Sequence, residues 1–238
     1  MRMAVAGGTG WVGKLVVERA REAGHDVVVI SRSNGVDLTT GAGLDEALHG
    51  VDAVIDVTNV ETLSGKVATE FFETATRTLL AAEKRSSVRH HVVLSIVGVD
   101  RVDSGYYRAK RRQEELALAG PVPATVLRAT QFHEFAAQLL GRVPGPVKLV
   151  PSMLTRPVAA ADVATELVRL AEGPARGLAT DLAGPEVLKM SAMVRRLARG
   201  KLVLTVPAGR AMAGGALLPA GEFHSGQVTF DQWLAASR

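Results

Sequence analysis

The chain contains no cysteine. Disulfide cross-links, thiolate metal sites and a cysteine nucleophile are therefore excluded. Aromatic residues are scarce, at 4% of 238 positions, although 47% of the residues are apolar. A core of this composition must be mostly Val, Leu and Ala, which suits a buried parallel sheet covered by helices. No apolar run approaches the ~20 residues needed to span a bilayer. Residues Met1 to Ala6 lead straight into a glycine turn and leave no length for a signal or transit peptide. The expectation is a soluble cytoplasmic protein. No His/Asp/Glu cluster has metal-ligand spacing, so no metal is expected, and Gly98-Val99-Asp100 is not a nucleophile elbow. The formal charge of +4 is modest and spread out; its densest clusters are Arg108, Lys110, Arg111, Arg112 and Arg195, Arg196, Arg199, Lys201. Both clusters read as solvated helix faces without interleaved aromatics, so neither nucleic acid nor a membrane is the expected partner.

What is present is an alternation of short β-branched runs with longer helical stretches. Met3–Ala6 reads as a first strand, followed by a helix to Ala23 that Gly24 terminates. Val27–Ile30 is a second strand without polar alternation, expected to be buried on both faces. Val36-Asp37-Leu38 is a candidate short third strand, and Leu44–His49 a short helix. Ala53–Val57, His91–Ser95 and Ala124–Leu127 read as the fourth, fifth and sixth strands. Helices over 67–85 and 106–119 separate them, the former with Val67, Phe71, Ala75 and Leu79 on one face. The alternation predicts an α/β doubly wound parallel sheet. Beyond it, residues 141–146 read as a loop, Asp162 as the N-cap of a helix to Ala171, and 208–221 as a loop over the carboxyl edge of the sheet. There are no repeats. One domain over 1–238, with 141–238 forming a small substrate-side lobe, is the economical organisation.

Gly7-Gly8-Thr9-Gly10-Trp11-Val12-Gly13 follows the first strand and opens the first helix. In that position the glycines permit a sharp turn, close backbone approach to a pyrophosphate and tight helix–sheet packing, with the anion on the positive end of the helix. This is the pattern of a dinucleotide site on a Rossmann-type fold. An NAD site usually places an acid at the end of the second strand, for the ribose 2′-hydroxyl. Here that strand ends Ile30-Ser31-Arg32-Ser33. Arg32 can pair with a 2′-phosphate and Ser31 and Ser33 can donate to it, so NADP(H) is favoured over NAD(H). Gln131, Phe132 and His133 follow the sixth strand, at the end that faces the ligand crevice in such sheets. His133 reads either as an acid–base or substrate-binding group or as a satisfied structural histidine.

The glycine turn resembles that of atypical short-chain dehydrogenase/reductases, in particular the NmrA-like NAD(P)H-binding group. The similarity extends from Met1 to Ala164 through Leu94–Val99, Tyr106–Lys110, Leu127–Phe132 and Arg156–Ala164. The resemblance implies that Thr9, Trp11 and Val12 line the diphosphate. It also implies that Asp37 lies beside the adenine and that Thr58 and Asn59 approach the nicotinamide ribose. Tyr106 and Lys110 match the superfamily's Tyr-x-x-x-Lys pair, one helical turn apart on a shared face. A nearby lysine cation lowers a tyrosine's pKa, and the tyrosine then donates a proton to a carbonyl oxygen as hydride arrives. Ser95 would hydrogen-bond that oxygen.

Three functions fit these features. The first is an NADP(H)-dependent oxidoreductase reducing a small carbonyl, quinone or conjugated substrate. The second is a non-catalytic NADP(H)-binding redox sensor. The third is a sugar-nucleotide epimerase or dehydratase, for which the 76 residues after Asp162 are few. The partner expected is a small molecule, and a homo-oligomer stays open.

Overall fold

The computed structural model describes residues 1–142 and 145–237. In chain order the first elements are β1 (Arg2–Ala6), α1 (Trp11–Glu22), β2 (Asp26–Ile30), α2 (Leu44–Ala47), β3 (Ala53–Asp56), α3 (Gly65–Arg85), β4 (His90–Ile96), α4 (Gly105–Leu118) and β5 (Ala124–Ala129). Then follow α5 (Glu134–Arg142), β6 (Val147–Pro151), β7 (Leu154–Thr155), α6 (Ala160–Glu172), β8 (Gly177–Leu178), β9 (Asp181–Ala183), β10 (Leu188–Lys189), α7 (Met190–Leu197), β11 (Leu202–Val206), α8 (Arg210–Ala213), β12 (Phe223–Ser225) and α9 (Phe230–Ala236). The chain divides into two compact units, one of residues 1–95, 103–128 and 163–179, the other of 96–102, 129–162 and 180–238.

The first unit is a Rossmann-like α/β fold. Its strands run in the order β8-β5-β4-β3-β1-β2, and β1 pairs in parallel with both β2 and β3. Met3, Ala4, Val5 and Ala6 are fully buried, as are Val54 and Ile55 of β3. Burying each such aliphatic side chain contributes on the order of 1.5–3 kcal/mol, which is why these runs need no polar alternation. The expected third strand does not form. Residues 36–38 instead enter a turn in which Asp37 Oδ1 accepts from both the backbone N–H and the hydroxyl of Thr39, each at 2.7 Å. A short polar side chain that bonds its own backbone two residues on competes with strand formation. Hence β2 is the sheet edge, and Val27, Val28 and Val29 are half-buried rather than covered on both faces.

Helix α3 begins at Gly65, where the Ser64 hydroxyl accepts from the Val67 N–H. Its buried stripe runs through Ala68, Phe72, Ala75, Thr76, Leu79 and Glu83. The expected stripe is thus shifted by about one residue at its start, and Val67 is exposed. Long side chains on a helix lean toward its N-terminus, so burial at a spot comes from the residue one position later.

In the second unit, Leu182 of β9 pairs with Ala129, and β12 adds in parallel beside β9. β6 pairs in parallel with β11, and β7 antiparallel with β10. Gly141 and Arg142 belong to α5 rather than to a loop, while Val143 and Pro144 lie outside the described residues. Asp162 sits inside the first turn of α6 instead of capping it, and its Oδ2 accepts from the Gln227 N–H at 2.9 Å. The segment 208–221 contains the short helix α8.

Candidate functional site

The glycine turn joins β1 to α1. Gly7 adopts φ +79°, the left-handed region that a side chain disfavours. A Cβ on Gly7 would also lie 3.1 Å from the Val57 carbonyl oxygen, at the end of β3. A Cβ on Gly13 would collide with the Gly7 carbonyl oxygen and the Gly8 Cα. The glycines therefore let the turn fold flat against its own helix. Gly10 is the N-cap of α1, with no capping side chain and no acid in the first turn. By contrast α3 and α4 are each capped by a serine, Ser64 and Ser104. The first-turn N–H groups of a helix lack intrahelical acceptors, so the N-terminus of α1 fits an anion such as a dinucleotide pyrophosphate.

At the end of β2, Arg32 is exposed in a 3₁₀ turn (Arg32–Asn34) and forms no salt bridge among the described residues. The hydroxyls of Ser31 and Ser33 lie 2.9 Å apart. No carboxylate stands among residues 31–36. Hydrogen bonds from Thr39 hold the Asp37 carboxyl below the usual carboxylate range, with a smaller contribution from Arg32.

Past the end of β3 the chain turns at Thr58, whose N–H donates to Asp56 Oδ1 at 2.9 Å. The buried Thr58 hydroxyl has no partner among the described residues, and neither does the buried Ser95 hydroxyl in β4. β3 and β4 are neighbours. These are two orphaned buried hydroxyls, one just past the end of β3 and against Gly7 of the glycine turn, the other in the neighbouring strand β4, and a bound nicotinamide and its ribose would supply them with partners. The residues present thus fit a dinucleotide from the pyrophosphate to the nicotinamide end.

Tyr106 lies in the first turn of α4, half-buried, with Phe72 and Tyr107 edge-on to its ring. Its hydroxyl donates to Asn59 Oδ1 at 2.6 Å. Burial, with a smaller effect of Tyr107, pushes its pKa up to about 12. Lys110 does not oppose that shift, because its ammonium points elsewhere. Nζ donates to the Leu94 carbonyl at 2.7 Å and to Gln113 Oε1 at 2.5 Å, with the Phe72 ring centroid 4.9 Å away. Burial lowers the Lys110 pKa to about 8 against the pull of Asp56 and Glu114. The expected lysine-lowered tyrosine is therefore not the arrangement found. Two residues of this network escaped the sequence reading. Asp56 is the one polar residue of β3, and Gln113 lies one turn after Lys110; those positions were the available signals.

In the second unit, His133 is fully buried beside Phe230 and Trp233, with Nε2 3.0 Å from the Val228 carbonyl. Burial holds its pKa below the ordinary value; the Val228 carbonyl can only accept, so Nε2–H donates, and the ring packs α9 against its unit. Gln131 Oε1 accepts from the Thr155 hydroxyl at 2.7 Å, and its Nε2 has no partner among the described residues. Phe132 forms a parallel bridge with Val158.

A family model described as NAD(P)H-binding matches residues 7–174. The chain belongs to the NAD(P)H-binding oxidoreductase family. Among curated relatives of this family member is the (4-alkanoyl-5-oxo-2,5-dihydrofuran-3-yl)methyl phosphate reductase of Streptomyces griseus subsp. griseus. It is 31% identical over 216 residues, an alignment covering 82% of this chain and 72% of that protein. A short-chain dehydrogenase/reductase superfamily protein of Agrobacterium tumefaciens, solved with bound NAD, has the same fold. It superposes with a TM-score of 0.74 at 18% identity, covering 100% of this chain and 96% of that one. The UDP-N-acetylglucosamine 4-epimerase of Bacillus cereus superposes with a TM-score of 0.71 at 18% identity, covering 100% and 97%. The family model and the Streptomyces relative bear out the resemblance to an NAD(P)H-binding reductase family, and the solved structures share the fold. Among the described residues, no helix of this oxidoreductase-family chain is long and apolar enough to cross a membrane.

Proposed function

We propose that the chain is an NADP(H)-dependent reductase for a small conjugated carbonyl compound bearing an anionic group. One observation carries the cofactor assignment: the uncapped N-terminus of α1 stands with an exposed Arg32, and no acid, at the end of the adjoining strand. The Gly7–Gly13 turn, through Thr9, Trp11 and Val12, holds the diphosphate. Ser31, Arg32 and Ser33 take the 2′-phosphate, Asp37 shapes the turn beside the adenine, and Thr58 and Asn59 approach the nicotinamide ribose. Bound NADPH supplies hydride.

The rest of the chemistry belongs to the chain. A tyrosine with a pKa near 12 keeps its proton throughout the neutral range. It is thus in the protonated form that a donor to a developing oxyanion needs, while a pKa that high makes it a weaker acid than an ordinary tyrosine. Ser95 Oγ, buried and unpartnered, would donate to the same oxygen. Gln131, whose buried Nε2 has no partner among the described residues, is the candidate for a substrate contact among residues 131–133.

Two features support the substrate class. The Streptomyces relative is named for a phosphorylated 5-oxo-2,5-dihydrofuran bearing an alkanoyl group. In such a compound a ring C=C bond is conjugated to carbonyls. Hydride would add at the β-carbon, the C=C electron pair would move to a carbonyl oxygen as an enolate, and Tyr106 would give that oxygen its proton and regain one from solvent. The second unit, moreover, holds eleven Lys and Arg against seven Asp and Glu, so the whole formal +4 of the chain resides there. A field of that sign attracts an anionic substrate.

The test is a fluorescence titration with NADPH and NADH, followed by NADPH absorbance decay over aldehydes, quinones and phosphorylated conjugated lactones. Tight NADPH binding with decay on a conjugated phosphate is expected. A second reading, a non-catalytic NADP(H)-binding regulator, is favoured by the engagement of Lys110 with Leu94 and Gln113. It requires tight binding and no decay on any acceptor.

A further inference from the structure

The buried face of α4 is polar where a helix against a sheet is ordinarily apolar. Lys110, Gln113 and Glu114 are 5%, 1% and 3% exposed. Glu114 is accounted for by a two-pronged pair with Arg128, at 2.9 and 2.7 Å. Lys110 and Gln113 belong instead to a chain of hydrogen bonds that ends on Asp56, itself 2% exposed at the end of β3. Asp56 Oδ2 accepts from Gln113 Nε2 at 2.9 Å, and Gln113 Oε1 accepts from Lys110 Nζ at 2.5 Å. The other oxygen, Oδ1, accepts from the Thr58 N–H at 2.9 Å. That bond forms the turn presenting Asn59, and Asn59 Oδ1 receives the Tyr106 hydroxyl at 2.6 Å.

We propose that Asp56 is the positioning residue for both members of the Tyr106–Lys110 pair, holding the lysine through Gln113 and the tyrosine through the Thr58–Asn59 turn. The inference rests on the reading of this site as a dinucleotide-dependent one, and names the group that organises it. The direction of every bond in the chain is fixed. An ammonium only donates and a carboxylate only accepts, so the amide between them has a single satisfying orientation. Asp56 thus does two jobs with two oxygens. The charged groups around the chain are Glu114 with Arg128 on the α4 side, and the buried His91–Glu83 pair near Asp56.

The bond directions define a test by exchange. In Asp56→Asn the new amide donor meets Gln113 Nε2 or, with the asparagine reversed, the Thr58 N–H; if Gln113 flips, its donor meets Lys110. In each case two donors face each other. In Asp56→Asn/Gln113→Glu the polarity is restored. The introduced asparagine amide donates to a carboxylate that accepts from Lys110, while its Oδ1 still receives the Thr58 N–H. Two readouts serve, neither needing turnover: the NMR titration of the Lys110 ε-carbon in the cofactor-free protein, and the dissociation constant for NADPH. Asp56→Asn is expected to lower the Lys110 midpoint by about one pH unit, the scale of a lost neighbouring countercharge. It is also expected to weaken NADPH about tenfold, and the double variant to recover both. The proposal is overturned by an Asp56→Asn protein with wild-type values, or by a double variant no better than the single. If Asp56→Asn does not fold, the double variant decides: folding with a wild-type or higher Lys110 midpoint supports the proposal, and failure to fold overturns it. Failure of the wild type to bind NADPH would defeat the proposed function alone, since the Lys110 titration tests the coupling independently.

Discussion

Lys110 is held charged in a place that disfavours charge. Its pKa falls from the ordinary 10.5 to about 8, burial outweighing Asp56 and Glu114. A depressed folded-state pKa means that the unfolded chain binds more protons between those values, so stability rises with pH across that window. The lysine's contribution is fully present above pH 10.5 and is lost as pH falls through about 8. Denaturant unfolding between about pH 7 and pH 10.5 should show this rise in the wild type. A Lys110→Met variant should lack the Lys110 part of the slope; an unchanged slope would contradict the burial argument. Tyr106 behaves oppositely, its proton retained to about pH 12 by burial. Replacing Tyr106 by Phe should slow NADPH oxidation by about 10²–10⁴-fold, the range for a lost proton donor, with the NADPH dissociation constant nearly unchanged. Equal turnover would remove the tyrosine from the chemistry.

At the scale of elements, the turn between β1 and α1 makes two glycines separable. Gly13 is required by the fold, since a Cβ there strikes backbone. Gly10 is less strictly required, since its φ is ordinary and a Cβ there meets one atom, the Gly7 oxygen, at a tight 3.1 Å that a small shift relieves. Gly10→Ala should melt within a few degrees of the wild type yet lose NADPH binding, because the added methyl stands where the pyrophosphate approaches. Gly13→Ala should lose folding cooperativity itself. Thermal melts with NADPH titrations check both, and wild-type NADPH affinity in Gly10→Ala would mean that the anion lies elsewhere. The same turn was legible in the sequence, because spacing and order alone place it between strand and helix. Strands β1, β3, β4 and β5 were legible for a related reason: continuous Val, Ile, Leu and Ala runs signal burial on both faces. Val36–Leu38 was not, because the hydrogen bonds of Asp37 to Thr39 outweigh a short apolar pattern. Nor was α5, whose nine residues carry no separating cap signal. In the site, residue types could be read but side-chain directions could not. One-turn spacing placed Tyr106 and Lys110 on one face, yet said nothing of the inward partners Leu94 and Gln113 that the lysine takes.

Across the whole molecule, charge is unevenly divided. The first unit holds seventeen basic and seventeen acidic residues, and the second carries the entire excess. From Val187 to Gly221 six basic residues occur with no acid. If that field helps to collect an anionic substrate, kcat/KM for a phosphorylated lactone should fall with added salt, since the Debye length shortens from about 10 Å at 0.1 M to about 3 Å at 1 M. The dephosphorylated analogue should show little change, and an equal response of the two would argue against an electrostatic role. The most direct test of the central claim is the binding preference for NADPH over NADH, measured on the wild type and on Arg32→Ala. The wild type should bind NADPH tightly, at least about tenfold tighter than NADH, and the variant should lose most of that preference, a change worth about 1.4 kcal/mol. Equal affinity for the two cofactors in the wild type, or an undiminished preference without Arg32, would contradict it.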